Sequence, residues 1–398
     1  MPTPIVTRRL PLLLGFLIAV GPVSTDMYLP AFPAIARDFH DLGAPQISLG
    51  AYFIGLAVGQ MTQGALSDRL GRRGPLLAGL MIYTIASLGC AISWSVSSFA
   101  VFRFLAALGC SAGVVIPRAM VRDLASGPAA AKLFSKLMLA MGVAPIVAPM
   151  LGSLFTALAS WRMIFVFASV YGVLAVVLIW HFLPDTLPPQ RRSLVGPGAV
   201  MRRYAAIFGE RNFLTHALIL TFTASALLAY LAGSPEIFVG LYGWNTAEYA
   251  ALFGVSAVAY IGLNMLNPVL VHRYGIAPVI TVSGNVLLGC TVALVLLAWH
   301  PMGPFAIIAA LLIAEIGFGL AMPSAMVGAL QNHQAHAGSA AALMGTLQYG
   351  GGAIASLSVG AWAENSATPM AVVMLGCAGL AVLAASLRPR LGLVAAET

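Results

Sequence analysis

The sequence predicts an all-α integral membrane protein whose twelve transmembrane helices form two six-helix bundles. The first reason is composition: 60% of the 398 residues are hydrophobic and only 8% are charged, against about 25% charged in soluble domains. The second is run length. Apolar stretches of roughly 20 residues, enough to cross a hydrocarbon core about 30 Å thick, recur along the whole chain. The third is internal symmetry, since these stretches fall into two sets of six separated by one hydrophilic segment.

In order, spans are predicted near residues 10 to 32, 46 to 67, 75 to 95, 98 to 119, 132 to 157 and 162 to 183. The following "PDTLPPQRRSLVGPGAVMRRYAAIFGER" is too rich in proline and arginine to span and reads as a linker. Six more spans follow near 212 to 235, 247 to 270, 276 to 298, 303 to 326, 338 to 362 and 367 to 388. The expected organisation is a bundle over 1–183, a cytoplasmic linker over 184–210 and a second bundle over 211–398. The turns "LSDRLGRRG" and "VLVHRYG" fall at matching places, with Gly71 and Gly275 204 residues apart. The basic, apolar N-terminus has the look of a signal peptide, but apolar spans continue beyond it with no soluble domain to release, so it reads as the first span.

The formal charge of +8 is distributed as topology rather than as a nucleic-acid footprint. With the N-terminus cytoplasmic, 17 of the 20 basic residues fall on the inner side, leaving Arg37 and Arg162 outside and Arg103 within a span. The positive-inside bias therefore places both termini in the cytoplasm. The four cysteines stand singly in apolar runs, which suggests neither disulfides nor a metal site. His333 and His336 have ligand-like spacing but lie in an inner loop with no acidic neighbour in sequence, so no metal is expected.

The strongest local motif is "GALSDRLGRRGP" between the second and third spans. Gly64 and Gly71 suit close helix approach and unusual backbone, Asp68 suits a helix cap, and Arg69, Arg72 and Arg73 suit the anionic inner leaflet. Asp123, with Arg122, ends the fourth span where it could pair with this turn. The motif resembles the major facilitator superfamily signature G-x-L-x-D-R-x-G-R-R/K, matched at Gly64, Leu66, Asp68, Arg69, Gly71, Arg72 and Arg73. Three further stretches resemble the bicyclomycin/chloramphenicol type of drug:proton antiporter. They are "STDMYLPAFP", "RFLAALGCSAG…RAMVRDL" and "APIVAPMLGSL". The last departs from the antiporter motif G-x-x-x-G-P-x-x-G-G, with Ala144 and Pro145 at the Gly-Pro position and Ser153 at the final glycine. "GSAAALMGTLQYGGGAIAS" in the eleventh span also looks familial. The resemblance implies the major facilitator fold, and a conformational latch in which Asp68 and Arg72 hold the two bundles in the outward-facing state.

Intramembrane charges are costly, about 2.5 to 3.5 kcal/mol each on insertion scales, and usually face an interior or a water-filled cavity. Asp26 lies about 17 residues into the first span and Arg103 about five into the fourth, so both fall in the outer half at a rise of roughly 1.5 Å per residue. The resemblance aligns them with the family's first-span acid and its fourth-span arginine implicated in proton coupling. Asp26 is therefore expected to carry the proton and Arg103 to tune its affinity; the alternative is a static ion pair that fixes packing. Glu315, midway along the tenth span, reads as a second proton site, a cation-binding carboxylate or a hydrogen-bonded packing residue. Glu236 follows "GSP" at the outer end of the seventh span and reads as interfacial, with substrate gating as the alternative.

Pro145 and Pro149, flanked by Gly142 and Gly152, predict a helix pivot in the fifth span. Met27, Tyr28, Tyr52, Gln60, Tyr230, Asn264, Phe318, Met322 and Gln348 are the candidates for a substrate cavity, with helix packing as the alternative for each. Taken with the resemblance, these residues imply a monomeric proton-coupled antiporter exporting small, largely apolar drugs. It would use the proton gradient in place of a cofactor and interact with lipid, protons and substrate but no nucleic acid. The rivals are a carrier of a natural metabolite such as an amino acid, sugar or nucleoside, and a membrane-embedded enzyme. The latter is disfavoured because Asp38, Asp41, Glu248 and Glu364 form no catalytic motif.

Overall fold

The computed structural model describes residues 4–124, 127–192, 196–300, 302–333, 336–362, 364 and 366–388. Arg390 lies outside them, as do the side chains of Arg8, Arg9, Arg122, Lys132 and Lys136. The described chain is helical throughout its long elements. In the first half these are α1 (Pro4–Ile18), α2 (Val20–Thr25), α3 (Phe32–Phe39), α4 (Ala44–Leu70), α5 (Arg73–Ala91), α6 (Val96–Leu124), α7 (Gly127–Leu158) and α8 (Arg162–Phe182). A linker helix, α9 (Pro197–Phe208), precedes α10 (Arg211–Pro235), α11 (Thr246–Tyr274), α12 (Ile276–Trp299), α13 (Pro304–Leu330), α14 (Ala337–Ala361) and α15 (Thr368–Ser386). One end of the assembly carries the arginine-rich turns after α4 and α11 and is called the basic end; the opposite one is the far end.

Ten helical stretches among the described residues are long and apolar enough to cross a bilayer. Two further helices, α4 with 27 residues and α14 with 25, are long enough but too polar. Their partner explains the deficit, because α4 and α14 pack on each other across the seam between the halves. There Thr346 donates to the Ala57 carbonyl at 3.1 Å and Ser356 to the Gln46 carbonyl at 3.0 Å, while Phe53 stacks on Tyr349. Polar and small residues that would be costly against lipid are satisfied by a neighbouring helix. A second seam joins α7 to α11, where Ser153 donates to Thr246 at 2.9 Å.

The predicted first span is one continuous helix, and here the structure differs. Leu10–Phe39 forms a single apolar stretch, but its helix breaks around Asp26 and resumes through a 3-10 turn at Leu29–Ala31. Pro30 has no N–H to offer the Asp26 carbonyl in α-helical register, and that carbonyl receives only a 3.4 Å bond from Leu29. Gly152 of α7 makes the break possible: a Cβ there would lie 1.6 Å from the Met27 carbonyl oxygen. The 3-10 turn also touches α10 and α11, so the interruption sits where the two halves meet.

The two equivalent basic turns share one backbone conformation, with Gly71 at φ 91°, ψ 169° and Gly275 at φ 84°, ψ 163°. A side chain is strained in this region, so glycine at both turns is a structural requirement and an imprint of the internal repeat. Gly64 does not show the close approach predicted for it, since a Cβ there would meet Val115 at an ordinary 3.8 Å.

Candidate functional site

Asp26 is 9% exposed, at the interruption of the first span. Beside it, Thr25 donates its hydroxyl to the Gly21 carbonyl at 3.0 Å, a local bond that competes with regular helix. The second half supplies two tyrosines, Tyr249 of α11 and Tyr349 of α14, within electrostatic range of the carboxylate. A broken helix with an acid at the break is the arrangement by which transporters place ion sites at membrane depth.

The predicted pairing of Asp26 with Arg103 is not present. Arg103 is 1% exposed and donates instead to the Ser24 carbonyl at 3.0 Å. Its guanidinium lies 4.2 Å from the Tyr28 ring, 4.1 Å from that of Tyr52 and 5.6 Å from that of Phe165. Its Nε and Nη2 have no hydrogen-bond partner among the described residues. This is a cation held by aromatic faces, each worth about 0.5 to 2 kcal/mol depending on desolvation. The two residues are close in the fold but point to different partners, because the backbone of Ser24 intercepts the arginine.

Tyr28 and Tyr52, expected in the cavity, form this cage and are fully buried, as are Met27 and Phe318. Tyr230 is also buried, its hydroxyl 3.2 Å from that of Ser256, and Met322 and Gln60 retain little surface. Asn264 and Gln348 alone among the nine are half-buried. Aromatic residues are excellent helix packers, and sequence type does not separate that use from cavity lining. Arg118, which the sequence marked only as an inner-side basic residue, is half-buried in α6 with Nη2 3.4 Å from the Met141 sulfur. Glu315 is 2% exposed on α13 and its Oε2 has no partner among the described residues.

At the basic end, Arg72 gathers the motif. Its Nη1 meets Asp68 at 2.5 Å and Ser67 at 2.9 Å, its Nε meets Asp123 at 2.7 Å, and its Nη2 meets the other Asp123 oxygen at 3.3 Å. Burial opposes the charge of Arg72, but Asp123 and Asp68 outweigh it and hold its pKa above the usual guanidinium value. Asp68 thus pairs with Arg72 and does not cap α5. That task falls to a residue the sequence did not mark, Asp185 of the linker, which accepts from the Arg72 backbone N–H at 2.9 Å and from Arg192 at 3.0 Å. Arg73 donates to the Trp180 carbonyl at 2.7 Å, and Arg69 is exposed. In this structure these contacts stay within the first half and the linker.

α7 runs as one helix through Pro145 and Pro149. A Cβ at Gly142 would make only ordinary contact with Ile261 at 3.7 Å, so Gly152 is the tighter of the two flanking glycines. Among the described residues no group of three or more His, Cys, Asp or Glu side chains is placed to hold a metal. His333, which has no acidic neighbour in sequence, gains one through folding: it pairs with Glu210 at the end of the linker.

A profile of the Major Facilitator Superfamily matches residues 14–356. The chain belongs to the major facilitator superfamily. Along 379 residues it is 34% identical to an uncharacterised MFS-type transporter of Bacillus subtilis, covering 94% of this chain and 93% of the relative. It is 28% identical to a bicyclomycin resistance protein homolog of Haemophilus influenzae, covering 94% of each. It is 26% identical to multidrug resistance protein MdtL of Escherichia coli, covering 87% and 88%. Among solved structures, a D-xylose-proton symporter shares the fold with a TM-score of 0.75 at 16% identity, covering 98% of each chain. The protein is therefore a multi-pass membrane transporter of this superfamily.

Proposed function

We propose that this major facilitator transporter is a proton-driven antiporter that exports small, largely apolar drugs across the bacterial inner membrane, with its basic end and both termini in the cytoplasm. The observation that carries the proposal is Asp26, a buried carboxylate at a helix interruption between the halves. The resistance names of the Haemophilus and Escherichia relatives support a drug substrate. In this reading residues 1–183 and 211–398 move as two bundles about the linker at 184–210. The far end faces outward. Hydrogen bonds between the bundles in the described residues lie along the α4–α14 and α7–α11 seams and at the far end of α10, so that end is closed.

Protons entering from outside would neutralise Asp26, favour release of the drug outward and drive return to the inward-facing form. Arg103, caged by Tyr28, Tyr52 and Phe165, would act on Asp26 through position and long-range charge, and Glu315 would serve as a second protonatable group. The test is expression in an efflux-deficient bacterial host. Tolerance to chloramphenicol or bicyclomycin should rise and should vanish when the proton gradient is collapsed. Tolerance that survives that collapse would point away from antiport.

A further inference from the structure

At the far end, α10 does not simply stop. After Pro235 its backbone widens into a π-helical turn over Glu236–Leu241, closed by Tyr242 N–H donating to the Ile237 carbonyl at 2.9 Å. Such turns cost regular hydrogen bonding and concentrate at functional sites. This one carries Glu236 across the seam to α4, where Gln46 Nε2 donates to Glu236 Oε2 at 3.1 Å and to the Ala232 carbonyl at 3.3 Å. A cavity of about 300 Å³ lies against the pair and reaches the surface at Arg37, Leu42 and Gly240.

The hydrogen-bond count at this contact is short by one donor. Gln46 Oε1 and Glu236 Oε1 are both buried and both lack a partner among the described residues. An ionised carboxylate has only acceptors, so it cannot answer the Gln46 carbonyl. A carboxylic acid can, because its O–H supplies the missing donor while its other oxygen keeps the bond from Gln46 Nε2. The surrounding charged and titratable groups do not fill the gap. Arg37 donates to the Pro33 carbonyl, Asp41 accepts from the Gly43 N–H, Glu248 is engaged in the capping box of α11, and the Tyr249 hydroxyl is held by Ser234.

We propose that Glu236 is the proton-reading residue of a far-end gate: a proton taken from the outer solution through this cavity completes a two-bond acid–amide pair with Gln46 and closes the halves over the transport path. The sign suits antiport. A transporter that has released its drug outward and loaded a proton is the one that must close outward and return, and protonation of Glu236 favours that closure. The role in the cycle rests on the antiport reading, but the gate itself is measured without substrate or gradient.

The experiment uses the full chain in lipid nanodiscs, with its four cysteines replaced by alanine and spin labels at Trp94→Cys and Met302→Cys, exposed far-end positions in opposite halves. Electron–electron distances are recorded between pH 5 and pH 9. In the parent, the short-distance population should grow as pH falls. Glu236→Gln mimics the protonated acid and should hold the short distance across the range. Gln46→Leu removes the partner and should lose the pH response with the far end biased open. A parent whose distance ignores pH, or a pH response unchanged in both variants, overturns the proposal. Because drug transport is scored separately, loss of the gate response leaves Asp26-driven efflux standing, and failure of efflux leaves the gate response readable.

Discussion

Gly152 and Gly142 lie on the same helix, yet a single methyl should separate them. A Cβ at 152 would fall 1.6 Å from the Met27 carbonyl oxygen, whereas at 142 it would rest 3.7 Å from Ile261. Gly152→Ala should therefore cost more than about 3 kcal/mol, the upper range for overpacking a core, and should abolish transport. Gly142→Ala should be neutral or stabilise by up to about 1 kcal/mol, the usual gain over glycine in a helix. Thermal unfolding in detergent measures both, and equal effects would refute the role given to Gly152. The sequence made Asp26, Arg103 and Glu315 legible because intramembrane charge is conspicuous. It could not reveal that Arg103 faces aromatic rings, because the choice between Asp26 and the Ser24 carbonyl is decided by backbone placement at a break. Nor could it reveal that Tyr28 and Tyr52 hold the buried guanidinium between their rings.

At the scale of elements, span positions were readable to within a few residues over most of the chain, since hydropathy and run length encode them directly. Two features were not. The break in the first span depends on Pro30 meeting an α7 that has no side chain at Gly152, a tertiary coincidence. The cap on α5 comes from Asp185, remote in sequence, where a local reading assigned it to Asp68. The Asp68–Arg72–Asp123 network, expected from the motif as a latch between bundles, is here a tie within the first half and to the linker. Asp123→Ala would remove two of the bonds that Arg72 makes while it is largely buried. Charged hydrogen bonds contribute about 1.5 to 3 kcal/mol each, so the variant should lose roughly 2 to 4 kcal/mol of stability after partial rescue by water. A melting temperature equal to that of the parent would show the tie to be incidental. Asp185→Ala should cost less, about 1 kcal/mol, as for loss of a helix cap.

For the whole molecule, the polar helices α4 and α14 and the closed far end describe one conformation of the transporter. On the antiport reading the seam is polar because it must part: small and hydroxyl-bearing residues exchange partners with water more readily than an interlocked apolar core does. The six-plus-six pattern and the matched glycine turns expose this architecture in the sequence, but the state occupied is a matter of small free-energy differences that residue types do not encode. Whether Asp26 drives the exchange is tested most directly in proteoliposomes holding the protein inside-out, where labelled chloramphenicol uptake is followed with an acidic or a neutral lumen. Wild-type uptake should be accelerated by the acidic lumen, while Asp26→Asn should retain substrate counterflow and lose the acceleration. Acceleration by the acidic lumen that persists in Asp26→Asn would contradict Asp26 as the proton carrier.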